Sequence, residues 1–142
     1  MFVLDSHCDT PSQILRLRDL SIDNDHAHVD FPKLRKGGVD AAFFPPSALN
    51  VALYVPASKS EEEAYIYSRR LLDAVRASVA ANPDKAAFAV SPVQAYANKQ
   101  DGKFSVFLGL ENGSPVGHSI ERLHEFYNEG VRYMTLCHSK DN

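Results

Sequence analysis

Parallel α/β is the fold class this sequence predicts, and three features predict it. Short, mostly apolar runs alternate along the chain with segments of helical period, the pattern of strands joined by crossover helices. The apolar runs are close to continuous rather than alternating, as in strands covered on both faces. Several end abruptly in His, Asp or Glu, and in parallel α/β folds these carboxyl ends share the face where ligands bind. The 142 residues, 44% hydrophobic and 23% charged, suit one globular domain spanning 1–142.

Phe2, Val3 and Leu4 read as a buried first strand that runs into Asp5, Ser6, His7, Cys8 and Asp9. His7 and Asp9 are two residues apart, so an extended backbone points them the same way. An imidazole and a carboxylate converging at a strand end can bind a divalent metal; the alternative is a strand end that is only solvated. Thr10 is placed to cap a helix, with Pro11 in its first turn and Ile14, Leu15 and Leu17 along it. Residues 21–30 read as a polar loop carrying His26 and His28. Residues 32–36 read as a helical turn closed by Gly37 and Gly38. Residues 39–44 read as the second strand, broken by Pro45 and Pro46, with 51–55 as its resumption or a separate piece.

Residues 60–81 carry the clearest helix signal. Ser60 and Glu63 form a capping box, Glu61 and Glu62 suit the positive end of the helix dipole, and Ala64, Ser68, Leu71, Val75 and Val79 share one face. Residues 86–90 read as a third strand, and Ser91-Pro92 opens a short helix. Asp101-Gly102 is a turn into a fourth, nearly all-apolar strand over 104–110, which delivers Glu111. An ionised Glu is rarely buried unpaired, so Glu111 calls for a metal or for a Lys or Arg at the rim. Ser119 caps a helix carrying Ile120, Leu123, Phe126 and Tyr127. A fifth strand over 131–136 ends in Cys137, His138 and Ser139. His7, Asp9, Glu111 and His138 thus fall at one kind of place, and they form the candidate site.

Several function classes receive no support. The net charge of -3 gives no electrostatic reason to expect nucleic acid or an anionic membrane as partner. No apolar run approaches the roughly 20 residues of a transmembrane segment. No signal peptide is visible, so a cytoplasmic location is the default expectation. Cys8 and Cys137 are too few for a disulfide scaffold. A thiolate zinc site, or a nucleophilic Cys with His138 as base, is a competing use of them, but strand alternation turns Cys8 away from His7 and Asp9. The glycine-containing stretch 109–117 lacks the Lys-Ser/Thr ending of a phosphate loop.

The blocks HVDFPKLRKGGVDAAFF, LYVP, FLGLENG and FYNEGVRYMTLCHS, with DSHCDTP before them, together resemble the renal (membrane) dipeptidase family, peptidase family M19. They occur in the family's order and reach from end to end of the chain. The resemblance implies the N-terminal part of a (β/α)8 TIM-type barrel, with about five parallel strands and crossover helices, and a two-zinc site at the mouth of the whole barrel. It implies a metallo-dipeptidase that cleaves the peptide bond of dipeptides with a metal-bound hydroxide; some members open β-lactams. Carried over by motif, His7 and Asp9 match ligands of one metal, and Glu111 matches the carboxylate that bridges both. His138 matches the histidine that contacts the substrate and helps polarise the scissile carbonyl. Glu111 and His138 are therefore the catalytic candidates.

The family's two further histidine ligands, an arginine and an aspartate all match positions past residue 142. His118, in a loop, and His124, within a helix, do not stand in for the missing ligands. PPSALNVA, between Phe44 and Leu53, stands out as a local insertion near the site. A complete barrel takes about 250 residues. The expectation is therefore one zinc or none in this chain and little dipeptidase activity by itself, with a missing C-terminal half or a second chain completing the site. The competing expectation is a non-catalytic, self-associating barrel fragment, because the last strand of a half-barrel leaves an unpaired edge.

Overall fold

Strand β4 (Phe104–Glu111) is the axis of the molecule, buried along almost its whole length. The computed structural model describes residues 3–37, 47–57 and 60–141. Around β4 the chain lays down β1 (Val3–Cys8), α1 (Thr10–Ile14), α2 (Phe31–Lys36), β2 (Ser47–Tyr54), α3 (Glu61–Ala80), β3 (Ala86–Phe88), α4 (Pro92–Gln100), α5 (Ile120–Asn128) and β5 (Val131–Thr135). Every strand pair is parallel, as the alternation of apolar runs and helices requires.

The expected second strand over 39–44 lies outside the described residues. Residues 47–54, by contrast, form β2, which sits between β1 and β4 and pairs with β4 from Ala48↔Ser105 to Tyr54↔Glu111. Most of the expected insertion is thus a central strand. The reason is burial: Val51, Ala52 and Leu53 are at most 4% exposed, and strand pairing on both sides satisfies their backbone.

The opposite edge of β4 is shared. β3 pairs with its first half, from Ala86↔Phe104 to Phe88↔Val106, and β5 with its second half, from Leu108↔Val131 to Glu111↔Thr135. Among the described residues, five strands therefore occupy four positions across the sheet, an arrangement open to β3 because it is only three residues long. Leu4 is 53% exposed, not buried as its apolar context suggests. It lines an apolar hollow of about 460 Å³ with Tyr96, Phe107 and Tyr133, on a strand that pairs only with β2 among the described residues.

The helices hold the sheet from the other side. Ser60 and Glu63 form the expected capping box on α3, and Ala64, Ser68, Leu71, Leu72 and Val75 are its buried stripe. Glu125 and Glu129, at the end of α5, take ion pairs from Arg69 of α3, at 3.1 and 2.9 Å. The Tyr65 hydroxyl donates to the Glu125 carboxylate, and its ring packs edge-on to Phe126 at 6.0 Å. The first helix is shorter than its sequence suggests. Asp9, not Thr10, occupies the N-cap position, and the helical turns end at Leu17, which has φ 64° and is 95% exposed. At the start of α2, Asp30 is fully buried and accepts from the Lys33 amide at 2.8 Å and the Lys33 ammonium at 2.6 Å.

Candidate metal centre

Three strand ends meet at one point. Tyr54 of β2 is paired with Glu111, and Glu111 with Thr135 of β5, so the carboxyl ends of three strands are level. The chain turns sharply after Glu111, because Asn112 sits at φ 86°, a left-handed conformation that Asn tolerates better than most residues. The turn is pinned on every side. The Asn112 amide donates to Thr135 Oγ1 at 2.8 Å, and its side-chain Nδ2 donates to the Val55 carbonyl at 2.9 Å. Its Oδ1 accepts from the Ser114 amide at 3.1 Å and hydroxyl at 2.9 Å. Glu111 is therefore carried on a rigid support.

His7 reaches the same point by a different route from the one strand alternation suggests. β1 continues through Cys8, and three steps along it, Asp5 to Cys8, face only two along β2, Leu49 to Val51. This is a bulge, which bends the strand and re-aims its side chains. Asp5 Oδ1 accepts from the His7 amide inside it, at 3.0 Å. Asp9 has already left the strand, at φ -90° and ψ 22°. The two side chains converge because the bulge and the turn into α1 bring them together, not because both belong to one extended run.

The result is a cluster of His7, Asp9 and Glu111 with one ligand atom from each, all within 4.8 Å of one another. His7 Nε2 lies 3.2 Å from Asp9 Oδ1 and 3.1 Å from Glu111 Oε2. Glu111 Oε2 is buried and takes no hydrogen bond from the protein; the nearby imidazole nitrogen is not aligned to donate to it. A buried carboxylate oxygen without a donor is costly unless a cation compensates it. One imidazole nitrogen and two carboxylates are a donor set suited to zinc or a similar divalent ion. The residues present thus fit the metal that the motifs imply.

His138 stands at the rim of this cluster. Its Nε2 is 3.4 Å from Glu111 Oε1, its Nδ1 is 3.2 Å from Ser139 Oγ, and its ring meets Tyr54 edge-on at 5.1 Å. Cys8 and Cys137 stay out of the cluster. Cys8 packs against the core, accepts from Thr10 Oγ1 at 3.4 Å, and has its thiol pushed up by burial, the opposite of what a thiolate ligand needs. Cys137 is exposed. His118 pairs instead with Glu61 at 3.4 Å, and His26, His28 and His124 join no group of three potential ligands among the described residues.

Two neighbours of the cluster, Tyr54 and Tyr133, escaped the sequence reading. The Tyr133 hydroxyl is 3.1 Å from His7 Nδ1. Burial and the Glu111 carboxylate push its phenol up to about 12. A sequence signal for it did exist: Gly109 interrupts an otherwise apolar strand, and a strand glycine marks a close approach. The Tyr133 ring makes that approach, for a Cβ on Gly109 would lie 1.8 Å from Tyr133 Cε1.

Comparison with known proteins places the chain in a family. The family model for membrane dipeptidase, peptidase family M19, matches residues 1–142. A dipeptidase of Aspergillus terreus, ataJ, is 30% identical over 134 residues, covering 89% of this chain and 30% of that protein. Among solved structures, the metallopeptidase dipeptidase AC, of family M19, superposes with a TM-score of 0.84 at 19% identity, covering 99% of this chain and 44% of that one. A Rhodobacter sphaeroides metallopeptidase, liganded with a phosphinate mimic of the dipeptide L-Ala-D-Ala, superposes at 0.85 with 18% identity, covering 99% and 46%. The five-stranded parallel sheet is thus similar to part of a TIM-type barrel. The chain spans about a third of the curated relative and under half of each solved structure.

Proposed function

Because this chain belongs to the membrane dipeptidase family, peptidase family M19, we propose that it carries the N-terminal half of a zinc dipeptidase site. The observation that carries this reading is the orphaned Glu111 Oε2 beside His7 Nε2 and Asp9 Oδ1. These three residues would hold the metal. The chemistry a divalent ion supplies here is acidification of a water and polarisation of an amide carbonyl. The substrate class, a dipeptide, is drawn from the name of the Aspergillus relative and from the dipeptide mimic held by the Rhodobacter protein.

The chain's own residues then divide the work. Glu111 turns Oε2 toward His7 and Oε1 toward His138, so it is placed between ligand and substrate sides of the site. From there the carboxylate would serve as a metal ligand, set beside His138. His138 is held by Tyr54 and Ser139, with Nε2 facing Glu111. It orients the scissile carbonyl and stabilises the charge that develops on the carbonyl oxygen. The Asn112 hydrogen bonds fix the turn that follows Glu111. A complete two-metal centre takes its remaining ligands from the rest of a barrel.

Metal content tests this directly. After dialysis against trace zinc, the 142-residue chain is expected to hold one zinc, and His7→Ala none, with dipeptide hydrolysis at trace level. No zinc in the parent overturns the metal reading; two zincs with brisk hydrolysis overturn the half-site reading. A second reading, a self-associating module, draws on the uncovered apolar hollow lined by Leu4, Phe107 and Tyr133. A clean monomer on gel filtration removes it.

A further inference from the structure

We propose that Tyr133 is the positioning residue of the metal site: its hydroxyl holds His7 by Nδ1 and so aims Nε2 at Asp9 and Glu111. The inference rests on the metal-site reading above. The two ring nitrogens have divided partners. Nδ1 is 3.1 Å from the Tyr133 hydroxyl, while Nε2 faces Asp9 Oδ1 at 3.2 Å and Glu111 Oε2 at 3.1 Å.

A histidine that ligates through Nε2 carries its proton on Nδ1, and that proton needs an acceptor. Elsewhere the acceptor is often a carboxylate or a carbonyl, which can only accept. A phenol can do both. Without metal, Nε2–H donates to the Asp9 carboxylate and the phenol donates to Nδ1. With metal, the proton resides on Nδ1, delivered through solvent, and the phenol rotates about its C–O bond to accept. The phenol changes from donor to acceptor while keeping the same contact. The hydroxyl therefore holds the ring at one angle in both states.

The contact is built by the fold at some distance in sequence. In the sheet, β2 and β4 lie between β1 and β5. Three strand spacings are about 14 Å, so the sheet must curl to bring Tyr133 to His7. Gly109, directly paired with Tyr133, lets the ring lie across the β4 backbone. A methyl group there would push the ring away, since Cε1 and Cζ fall at 1.8 and 2.1 Å.

The test is Zn2+ affinity by competition with a chromophoric chelator, for the parent chain, His7→Ala, Tyr133→Phe and Gly109→Ala. Loss of an outer partner of a metal ligand costs about 10–100-fold in metal affinity, and that is the rise in Kd expected for Tyr133→Phe. Its metal-free melting temperature should match the parent, because the ring stays over Gly109. Gly109→Ala should weaken binding similarly while retaining the hydroxyl. In nitrogen-15 spectra of the zinc-loaded chain, the His7 Nδ1–H signal should be visible in the parent and lost to exchange in Tyr133→Phe. A Tyr133→Phe Kd within about threefold of the parent, with His7→Ala inactive in binding, overturns the positioning role and leaves the metal site standing. A parent that binds no zinc overturns both. Should Tyr133→Phe fail to fold, the parent spectrum decides: a rapidly exchanging Nδ1–H rejects the role.

Discussion

Glu111→Gln is expected to raise the zinc Kd by more than about 100-fold while leaving the metal-free chain at least as stable as the parent. The two effects have one cause. Glu111 is buried at the end of β4, and its Oε2 has no donor. In the metal-free chain no hydrogen bond offsets the desolvation of that oxygen, and such a group weighs about 1–3 kcal/mol on the folded state. Glutamine keeps the shape and removes the charge, so the cost falls. For the metal, the same substitution removes a negative ligand from a set of three. Removing an outer partner alone already costs about 10–100-fold, so losing an inner carboxylate should exceed that range. Chelator competition and a melt in excess chelator read the two quantities separately. If Glu111→Gln instead lowered the metal-free melting temperature, the carboxylate would be satisfied by the protein and not poised for a cation.

Asp30→Ala is expected to destabilise the chain by about 2–4 kcal/mol at neutral pH, without touching the metal site. Asp30 is fully buried. It caps α2 through the Lys33 amide, accepts from the Asn24 amide at 3.2 Å, and pairs with the Lys33 ammonium at 2.6 Å. Losing a cap costs about 1 kcal/mol, an abandoned buried amide about 1–3, and the partly exposed Lys33 loses one of its two carboxylate partners. The last is softened because Lys33 keeps Asp23 at 2.7 Å. Urea unfolding measures the sum, and a loss under about 1 kcal/mol would falsify the account. The pH dependence has a definite sign. Burial works against the charged form of Asp30, but the hydrogen bonds and charge of Lys33 and the Asn24 amide outweigh it, holding the carboxyl below its ordinary range. A depressed folded value means the contribution is fully present above the unfolded pKa, near 3.9, and is lost as the pH falls through the folded value. The gap between parent and Asp30→Ala should therefore be constant near neutrality and narrow below about pH 4.

Much of this was legible from the chain alone, because it depends on local physics. The capping box at Ser60 and Glu63 and the buried stripe of α3 follow from i, i+3 and i+4 spacing. The near-continuous burial of β4 follows from its apolar run. Parallel pairing follows from the alternation of strands and helices, and parallel pairing brings strand carboxyl ends to one face. That is why His7, Asp9, Glu111 and His138 could be singled out before their distances were known.

What the tertiary structure decided depends on pairing between distant segments. Residues 47–54 became β2 because two neighbours were available to pair them, although the sequence showed 51–55 only as a resumed strand or a separate piece, after an apparent insertion. β3 and β5 share one edge of β4, which no periodicity encodes. Asp9 meets His7 through a bulge set by register against β2 and through the turn into α1. Tyr133 reaches His7 across 126 residues of sequence because the sheet curls and Gly109 leaves room. Propensity acts over a few neighbours, so it specified the elements and the chemistry carried at their ends. Register and curvature are properties of the assembled sheet, and they alone fixed which atoms face one another.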